Sequence, residues 1–223
     1  MKDCYQIAVD GPAGSGKSTI ARLLAKKLGF LYIDSGAMYR AVTLYMLRNN
    51  LLKENENKLK KYLTKIKINF INKKGKQLIY LNSNNVTNEI RSSQISKLVS
   101  EVSTKKVVRK EMIKRQRNFA RAMPVIMDGR DIGSVVFQNA KLKIYLTASV
   151  LIRAKRRKKD LKKLSERIKL GNMIKQIYAR DNYDSNRALA PLCKAQDAVV
   201  IDSTNLTIQE VLEKIYAFIP IKG

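Results

Sequence analysis

The sequence predicts an α/β fold in which a parallel β-sheet is flanked by helices and carries a small antiparallel insertion. Short apolar segments with the length of buried strands alternate with longer segments whose apolar residues recur at helical spacing. Two alternating segments, near 66–70 and 78–80, are separated by turn-forming residues at 72–75, which is typical of a hairpin. The 223 residues contain no repeat or proline-rich linker, so one domain is expected.

The first half of the chain begins with a strand, a loop and a helix. The apolar run from Tyr5 to Val9 ends at Asp10, and a glycine-rich turn leads into a helical pattern over 17–28 that Gly29 stops. The elements predicted next are a strand at 30–33, a helix at 40–52, a solvated lysine-rich helical segment within 53–65, the hairpin, and a helical stretch over 88–122 that breaks near 103–104.

The second half continues the alternation of strands and helices. A buried strand at 124–127 ends in Asp128, and another covers 142–146. Ser149 is placed to cap a helix that enters the most basic segment, 153–169. The remaining predictions are a helix near 172–180, a polar loop to 186, a strand at 198–201 and a helix over 207–218.

The charge balance is strongly basic, because 45 Lys and Arg oppose 18 Asp and Glu and give a net charge of +27. Such a charge attracts polyanions, and it has two interpretations: a nucleic-acid partner, or a compositional bias toward lysine on solvated faces. Lysine supplies 30 of the 45 cations. Nucleic-acid readers use arginine forks more than lysine, so the sequence favours the second interpretation and predicts no specific nucleic-acid partner.

Histidine is absent from the chain, which excludes Ser-His-Asp and Cys-His catalysis and most catalytic zinc sites. Cys4 and Cys193 lie at opposite ends of the sequence without metal-site or disulfide spacing, which fits a reducing compartment. No apolar run approaches the roughly 18 residues of a membrane-spanning helix, and the first residues lack the apolar core of a secretory signal. We therefore expect a cytoplasmic protein with no membrane partner.

The strongest chemical signal is GPAGSGKS at 11–18, which matches the P-loop pattern G-x-x-x-x-G-K-[ST] in full. Backbone N–H groups of such a loop surround phosphate oxygens, Lys17 would reach the β and γ phosphates, and Ser18 would offer its hydroxyl to Mg²⁺. The pattern requires a strand before it and a helix after it, and both are predicted here. ATP with Mg²⁺ is the expected ligand.

Two classes of P-loop protein are disfavoured by motifs that the sequence lacks. A GTPase would carry N-K-x-D and D-x-x-G, but Asn72-Lys73 is followed by Lys74-Gly75 and D-x-x-G does not occur. A motor ATPase usually has a strand that ends in Asp-Glu, whereas the two apolar strands that end in aspartate continue as Asp128-Gly129 and Asp202-Ser203. A small-molecule kinase remains.

Arginines beside acidic residues point to a second anionic substrate. Each Arg–Asp pair alone is a common structural ion pair, but together, at predicted strand and helix ends, they form a set of guanidinium forks suited to phosphate. If the acceptor is itself a phosphate, it attacks without a protein base, which agrees with the absence of histidine. A nucleoside monophosphate is therefore the natural acceptor. The arginines are Arg40, Arg109, Arg130, Arg180 and Arg187.

Four long segments of the chain stand out together: DGPAGSGKST at 10–19, YIDSGAMYR at 32–40, MDGRDIGSVVF at 127–137 and NRALAPL at 186–192. In this order they resemble the bacterial cytidylate kinases, which are (d)CMP kinases of the nucleoside monophosphate kinase group. The resemblance implies a P-loop kinase fold and transfer of the γ-phosphoryl group of ATP to CMP or dCMP, with Mg²⁺, by a monomer. It also implies one domain over 1–223, with a core at about 1–35, 108–150 and 171–223, an NMP-binding insertion at 36–107 and a helical lid at 151–170.

The resemblance also assigns roles to individual residues. The loop residues Gly11, Pro12, Ala13, Gly14, Ser15, Gly16, Lys17, Ser18 and Thr19 would bind ATP, together with Arg153, Arg156 and Arg157 from the lid. CMP would contact Ser35, Arg40, Ser100, Arg109, Asp128, Arg130, Asp131, Arg180, Asp184 and Arg187. The catalytic set would be Lys17, Asp34, Arg130, Arg157 and Arg187, with Ser18 on the metal.

Some alternatives stay open at the level of sequence. Asp10 and Asp34 are either groups around the Mg²⁺ waters or strand-end residues that orient Lys17 and Ser18. Ser100 is either a ligand or a solvated helix residue. The acceptor could be another nucleoside monophosphate such as UMP, and a basic nucleic-acid-binding P-loop ATPase is a more distant possibility. Cytosine itself favours the first assignment, because its exocyclic amine can donate to a carboxylate and its N3 and O2 can accept from an arginine.

Overall fold

A computed structural model describes residues 4–73, 76–162 and 168–219 of the chain. In chain order the elements are β1 (Gln6–Asp10), α1 (Lys17–Leu28), β2 (Leu31–Asp34), α2 (Ser35–Arg48), α3 (Glu56–Leu63), β3 (Ile68–Lys73), β4 (Lys76–Leu81), β5 (Asn84–Asn85), α4 (Ser93–Val102), α5 (Lys106–Ala122), β6 (Val125–Gly129), β7 (Leu142–Thr147), α6 (Val150–Lys162), α7 (Leu170–Asn186), β8 (Val199–Asp202) and α8 (Ile208–Tyr216). A 3₁₀ turn covers Glu89–Arg91 and a π-helical turn covers Ile132–Val136.

The chain divides into two compact units, and the first comprises Met1–Tyr32 and Phe119–Gly223. Its centre is the five-stranded sheet with the order β2-β6-β1-β7-β8, in which β1 runs parallel to β6 and β7, and β7 runs parallel to β8. The sheet packs against α1 and α8 through fully buried side chains such as Ile7, Leu24 and Ile215. The predicted parallel α/β core is confirmed, and the ends of β1, β6 and β7 support the loops that carry the candidate site.

The second unit comprises Ile33–Asn118 and contains the predicted antiparallel insertion. The hairpin of β3 and β4 is confirmed, and β5 adds a third strand that sequence patterns did not predict. Residues 74–75 of the predicted turn lie outside the described residues. The predicted break near 103–104 separates α4 from α5 as expected.

Some predicted helix boundaries are wrong, and the helix predicted over 40–52 ends at Arg48. The helix predicted from Arg40 begins at Ser35, because the Asp34 side chain accepts a hydrogen bond from the Ala37 N–H at 2.8 Å and caps the helix there. The helix predicted over 172–180 extends to Asn186, so the segment predicted as a polar loop is helical. Asp, Asn and Ser are weak helix formers, and tertiary contacts to α7 outweigh that local preference.

The predicted lid at 151–170 includes α6, and its residues 163–167 lie outside the described part of the chain. Ser149 caps α6 as expected, since its side chain accepts from the Ile152 N–H at 3.4 Å. Among the helices that the structure describes, none is both long and apolar enough to cross a membrane.

Candidate active site

The glycine-rich loop joins the end of β1 to the start of α1. Gly11 and Gly14 have φ angles of 145° and 76°. A Cβ on Gly11 would lie 2.0 Å from the Leu146 carbonyl oxygen, and a Cβ on Gly14 would lie 2.9 Å from the Arg153 carbonyl oxygen. Glycine is required at both positions because the loop packs directly on the backbone of β7 and α6.

The loop ends at the N-terminus of α1. Gly16 occupies the capping position in a left-handed conformation and offers no side chain to the helix. The first N–H groups of a helix have no intrahelical acceptor, and the helix dipole places partial positive charge there. This geometry is suited to phosphate, the ligand that the P-loop pattern predicts.

Lys17 is buried beneath the loop, and its Nζ donates to the Pro12 carbonyl oxygen at 2.8 Å. Burial holds the pKa of the Lys17 ammonium well below its usual range, and the nearby Arg130 guanidinium lowers it further. Anionic phosphate beside Lys17 would stabilise the charged form of its side chain.

Ser18 contacts Asp128, which lies at the end of β6. The Ser18 hydroxyl donates to Asp128 Oδ2 at 2.7 Å, and the Tyr32 hydroxyl donates to Asp128 Oδ1 at 2.8 Å. A hydroxyl beside a carboxylate at a phosphate site is the donor set that Mg²⁺ prefers, because this ion binds few protein oxygens and takes its other ligands from phosphates and water. The residues present thus fit Mg²⁺.

Asp10 ends β1 and is 4% exposed. Its carboxylate oxygens accept from the N–H groups of Ile132 and Gly133 at 2.9 and 2.7 Å. Burial raises the pKa of Asp10 to about 6, and the Asp131 carboxylate adds to that rise. Its hydrogen bonds thus go to the turn that follows β6.

Three arginines surround Asp184 on α7. Arg130 Nε donates to Asp184 Oδ2 at 2.9 Å, while Arg180 Nε and Arg187 Nη1 each lie 3.9 Å from a carboxylate oxygen. Burial opposes ionisation of Asp184, but the three guanidiniums outweigh it and hold its pKa below the usual value. Arg187 Nη2 also lies 3.8 Å from Asp131 Oδ1. Three cations against two carboxylates leave positive charge for an anionic ligand.

Two arginines of α6 donate hydrogen bonds to backbone carbonyl oxygens of the glycine-rich loop. Arg153 donates to the Ala13 carbonyl oxygen at 3.0 Å and pairs with Asp181 of α7. Arg156 donates to the Ser15 carbonyl oxygen at 3.3 Å and to the hydroxyl and carbonyl oxygens of Ser203 at 2.9 and 2.7 Å. These guanidiniums therefore contact the loop backbone, and Arg157 beside them is half-buried.

Within the second unit, the residues predicted to contact CMP lie on α2, α4 and α5. Ser35 is buried in the first turn of α2, which Arg40 follows. Arg109 of α5 is buried, donates to the Ser103 carbonyl oxygen at 3.2 Å and lies 5.8 Å from the centre of the Tyr39 ring. Ser100 is half-buried, and its carbonyl oxygen accepts from the Ser103 hydroxyl at 2.8 Å.

Comparison with known proteins assigns the chain to a family. A family model described as cytidylate kinase matches residues 7–220. The cytidylate kinase of Alkaliphilus oremlandii is 50% identical over 210 residues, which are 94% of this chain and 95% of that one. Those of Halalkalibacterium halodurans and Bacillus subtilis are each 45% identical, over 213 and 215 residues, and cover 96% of both chains. The chain belongs to the cytidylate kinase family.

One solved structure is similar to this chain in fold. The structure of an uncharacterized protein from Eubacterium ventriosum aligns with a TM-score of 0.51 at 11% identity, over 96% of this chain and 97% of that one. At this identity the likeness shows the fold alone. Four sequence segments predict a resemblance to the cytidylate kinases, and the family match confirms it.

In this member of the cytidylate kinase family, the structure brings together two groups of the predicted residues. The loop, Lys17 and Ser18 lie with Asp128, and the second group comprises Arg130, Asp131, Arg180, Asp184 and Arg187. The Asp128 side chain accepts from Ser18 and Tyr32, and its predicted contact with CMP stays a prediction. Asp34 caps α2.

Sequence reasoning missed Tyr32 and Ser203. Tyr32 holds one oxygen of Asp128, and Ser203 joins Arg156 to the loop. Tyr32 belongs to a short strand whose pattern indicates only burial, so nothing in the sequence singles out its hydroxyl. Ser203 follows the end of β8, and its position at a strand end was the one signal that could have found it.

Proposed function

We propose that this chain transfers the γ-phosphoryl group of ATP to CMP or dCMP, giving ADP and CDP or dCDP. The observation that carries the proposal is the pairing, within one unit, of a complete phosphate loop with a separate cluster of three arginines around Asp184. A kinase needs a donor site and an acceptor site. The loop would supply the donor site, and the arginine cluster would supply the acceptor site.

On the donor side, the loop amides and Lys17 hold the β and γ phosphates. Ser18 and Asp128 would hold Mg²⁺, which when bound neutralises charge on the phosphates. Lys17 exchanges its bond to the Pro12 carbonyl oxygen for a phosphate oxygen, since an anion stabilises its ammonium better than a carbonyl does. The predicted contacts of Arg153, Arg156 and Arg157 with ATP stay predictions.

On the acceptor side, Arg130 and Arg187 are proposed to hold the phosphate of CMP, with Arg180 and Asp184 on the sugar. An oxygen of that phosphate forms a bond to the γ-phosphorus, and the bond from this phosphorus to the β–γ bridging oxygen breaks. Because the attacking group is already anionic, no protein base is required, and the chain contains no histidine. Positioning and charge neutralisation therefore account for catalysis.

The base is proposed to be read by Asp131, which accepts from the exocyclic amine of cytosine. Asp131 is buried and directly follows Arg130 in the chain. Its carboxylate lies near the guanidinium of Arg187, which is proposed to hold the CMP phosphate together with Arg130. The resemblance assigns Ser35, Arg40, Ser100 and Arg109 to CMP as well. A role in pyrimidine nucleotide metabolism, a monomeric state and a cytoplasmic location complete the proposal.

A coupled assay of ADP release tests the proposal, with ATP and Mg²⁺ against CMP, dCMP, UMP, AMP, GMP and dTMP. We expect CMP and dCMP to exceed the other acceptors in kcat/KM by at least about tenfold, since a buried carboxylate left without its donor penalises the wrong base. Chelation of Mg²⁺ should abolish turnover. Equal use of UMP or AMP would overturn the cytosine assignment, and ATP turnover that depends on polynucleotide would overturn the kinase assignment.

A further inference from the structure

The Asp10 side chain links two loops that are distant in sequence. It stands directly before the phosphate loop, yet both of its carboxylate oxygens accept from N–H groups 122 and 123 positions away, on Ile132 and Gly133. In the sheet, Asp10 is paired with Gly129 of β6. A carboxylate at the end of one strand therefore holds the turn that follows the neighbouring strand.

Two residues of the proposed acceptor site directly precede the turn that Asp10 holds. Arg130 and Asp131 lie immediately before the π-helical turn, in which the N–H groups of Val135 and Val136 donate to the Asp131 carbonyl oxygen at 2.9 and 3.2 Å. The first N–H groups of such a turn lack an acceptor within it, so a residue from elsewhere must satisfy them. Asp10 satisfies two of them and so fixes the backbone direction at Asp131.

Close packing leaves the turn little freedom to move relative to Asp10. A Cβ on Gly133 would lie 3.1 Å from Lys143 Cδ and 3.4 Å from Asp10 Oδ2. Lys143 is itself fixed, because its Nζ donates to the Gln138 carbonyl oxygen at 2.6 Å and to Asp197 at 2.9 Å. The missing side chain at position 133 therefore leaves room for the Lys143 side chain to pack on the turn that Asp10 holds.

We infer that Asp10 is a positioning residue of the acceptor site, which orients Arg130 and Asp131 through the backbone of Ile132 and Gly133. The sequence predicts for Asp10 either a place around the Mg²⁺ waters or a role in orienting Lys17 and Ser18. The hydrogen bonds favour a third role, since both oxygens are used by the turn. The inference rests on the proposed function, because it takes Arg130 and Asp131 as residues that bind CMP.

The variant Asp10→Asn tests this role. An amide offers one acceptor oxygen, and its NH₂ group would face the second N–H, so one hydrogen bond is replaced by opposed donors. We expect KM for CMP to rise about tenfold, while KM for ATP and the Mg²⁺ requirement stay within about twofold. Exchange of the Ile132 and Gly133 amide hydrogens should also accelerate, which reports on the turn itself.

Asp202→Asn is the matched control. Asp202 also ends a strand of the same sheet and accepts from a backbone N–H, that of Thr204 at 2.9 Å, but it caps its own loop. It should leave KM for CMP unchanged. Gly133→Ala perturbs the turn by a second route while the Asp10 carboxylate stays intact, because its methyl group would lie 3.1 Å from Lys143 Cδ and the turn or the Lys143 side chain must shift. It should raise KM for CMP by about threefold and spare KM for ATP.

The outcomes separate failure of this inference from failure of the proposed function. If Asp10→Asn raises KM for ATP or the Mg²⁺ requirement and spares KM for CMP, Asp10 serves the donor site and the inference is wrong. If Asp131→Asn changes use of CMP while Asp10→Asn and Gly133→Ala do not, the inference is also wrong and the acceptor site stands. If Asp131→Asn itself has no effect on CMP, the acceptor site and the inference built on it both fall.

Discussion

Lys17 is buried and donates to the Pro12 carbonyl oxygen, a bond that a phosphate of ATP is proposed to replace. Lys17→Ala should lower kcat by about a hundredfold or more, because it removes a cation that stabilises charge developing on the transferred phosphoryl group. The fold should survive, as judged by an unchanged circular dichroism spectrum. Lys26→Ala, at an exposed lysine on the same helix, is the control. Near-normal kcat in Lys17→Ala would show that the loop is not the donor site.

Asp131 can be tested apart from the arginine beside it. Asp131→Asn keeps the size of the side chain but supplies an amide that can donate to O4 of uracil. We expect KM for CMP to rise and the ratio of kcat/KM for UMP to that for CMP to increase about ten- to hundredfold.

A structural role for Asp131 predicts a different result in the same measurement. Asp131 Oδ1 lies 3.8 Å from Arg187 Nη2, so the carboxylate could serve only to orient that guanidinium. In that case kcat would fall equally for the two nucleotides and their ratio would not change. Kinetics with both acceptors on the one variant therefore decide whether Asp131 reads the base.

Among the secondary-structure elements, α2 begins earlier than the sequence predicts, because Asp34 caps it. Residues 35–39, between the predicted strand at 30–33 and the predicted helix at 40–52, are therefore helical. Asp34→Ala should lower the free energy of unfolding by about 1 kcal/mol, measured by urea denaturation, because it removes the acceptor for the Ala37 N–H. Asp34→Asn should retain stability, since asparagine caps helices as well as aspartate does. Asn55→Ala is the matched control for the loss of a helix cap, because the Asn55 side chain caps α3 in the same way.

The two substitutions also test the predicted catalytic role of Asp34. If the carboxylate orders water around Mg²⁺, Asp34→Asn raises the Mg²⁺ requirement without changing stability. If the residue acts only as a cap, Asp34→Asn leaves both the Mg²⁺ requirement and kcat unchanged. A loss of stability in Asp34→Asn equal to that in Asp34→Ala would contradict the capping role.

The C-terminal half of α7 shows how packing extends a helix beyond its local preference. Arg180 and Asp184 lie at the helical spacing of four, while Arg187 directly after α7 and Arg130 directly after β6 complete the cluster around Asp184. Opposite charges four residues apart stabilise a helix modestly, and the ion pairs of Asp184 with three cations add to that. The helix therefore continues through residues that favour turns in isolation.

At the scale of the whole molecule, the net charge of +27 predicts attraction to polyanions without selectivity. We expect binding to duplex DNA to be weak, insensitive to sequence and lost at physiological salt, with no stimulation of ATP turnover. Fluorescence anisotropy across a salt series measures this, because counterion release makes such binding steeply salt-dependent. Sequence-selective binding with a submicromolar Kd at physiological salt would contradict the assignment of the charge to composition.

The class of fold, the glycine-rich loop and the family are predictable from local features of the sequence. Strand and helix periodicities, a hairpin and a complete G-x-x-x-x-G-K-S pattern are local signals, because they depend on residues within one or two turns of each other. The strand β1 and the helix α1 accordingly lie where the periodicity predicted them. The four segments that resemble cytidylate kinases are local signals of the same kind.

The tertiary structure alone decided which side chains meet. Asp128 contacts Ser18 from 110 positions away, and Asp10 contacts the turn at Ile132 from 122 positions away. No local pattern encodes such pairings, since they arise when parallel strands bring their carboxyl ends to one edge of a sheet. The same reason explains why α7 extends past its predicted end: the partner of Asp184 that completes its cluster, Arg130, comes from a different part of the chain.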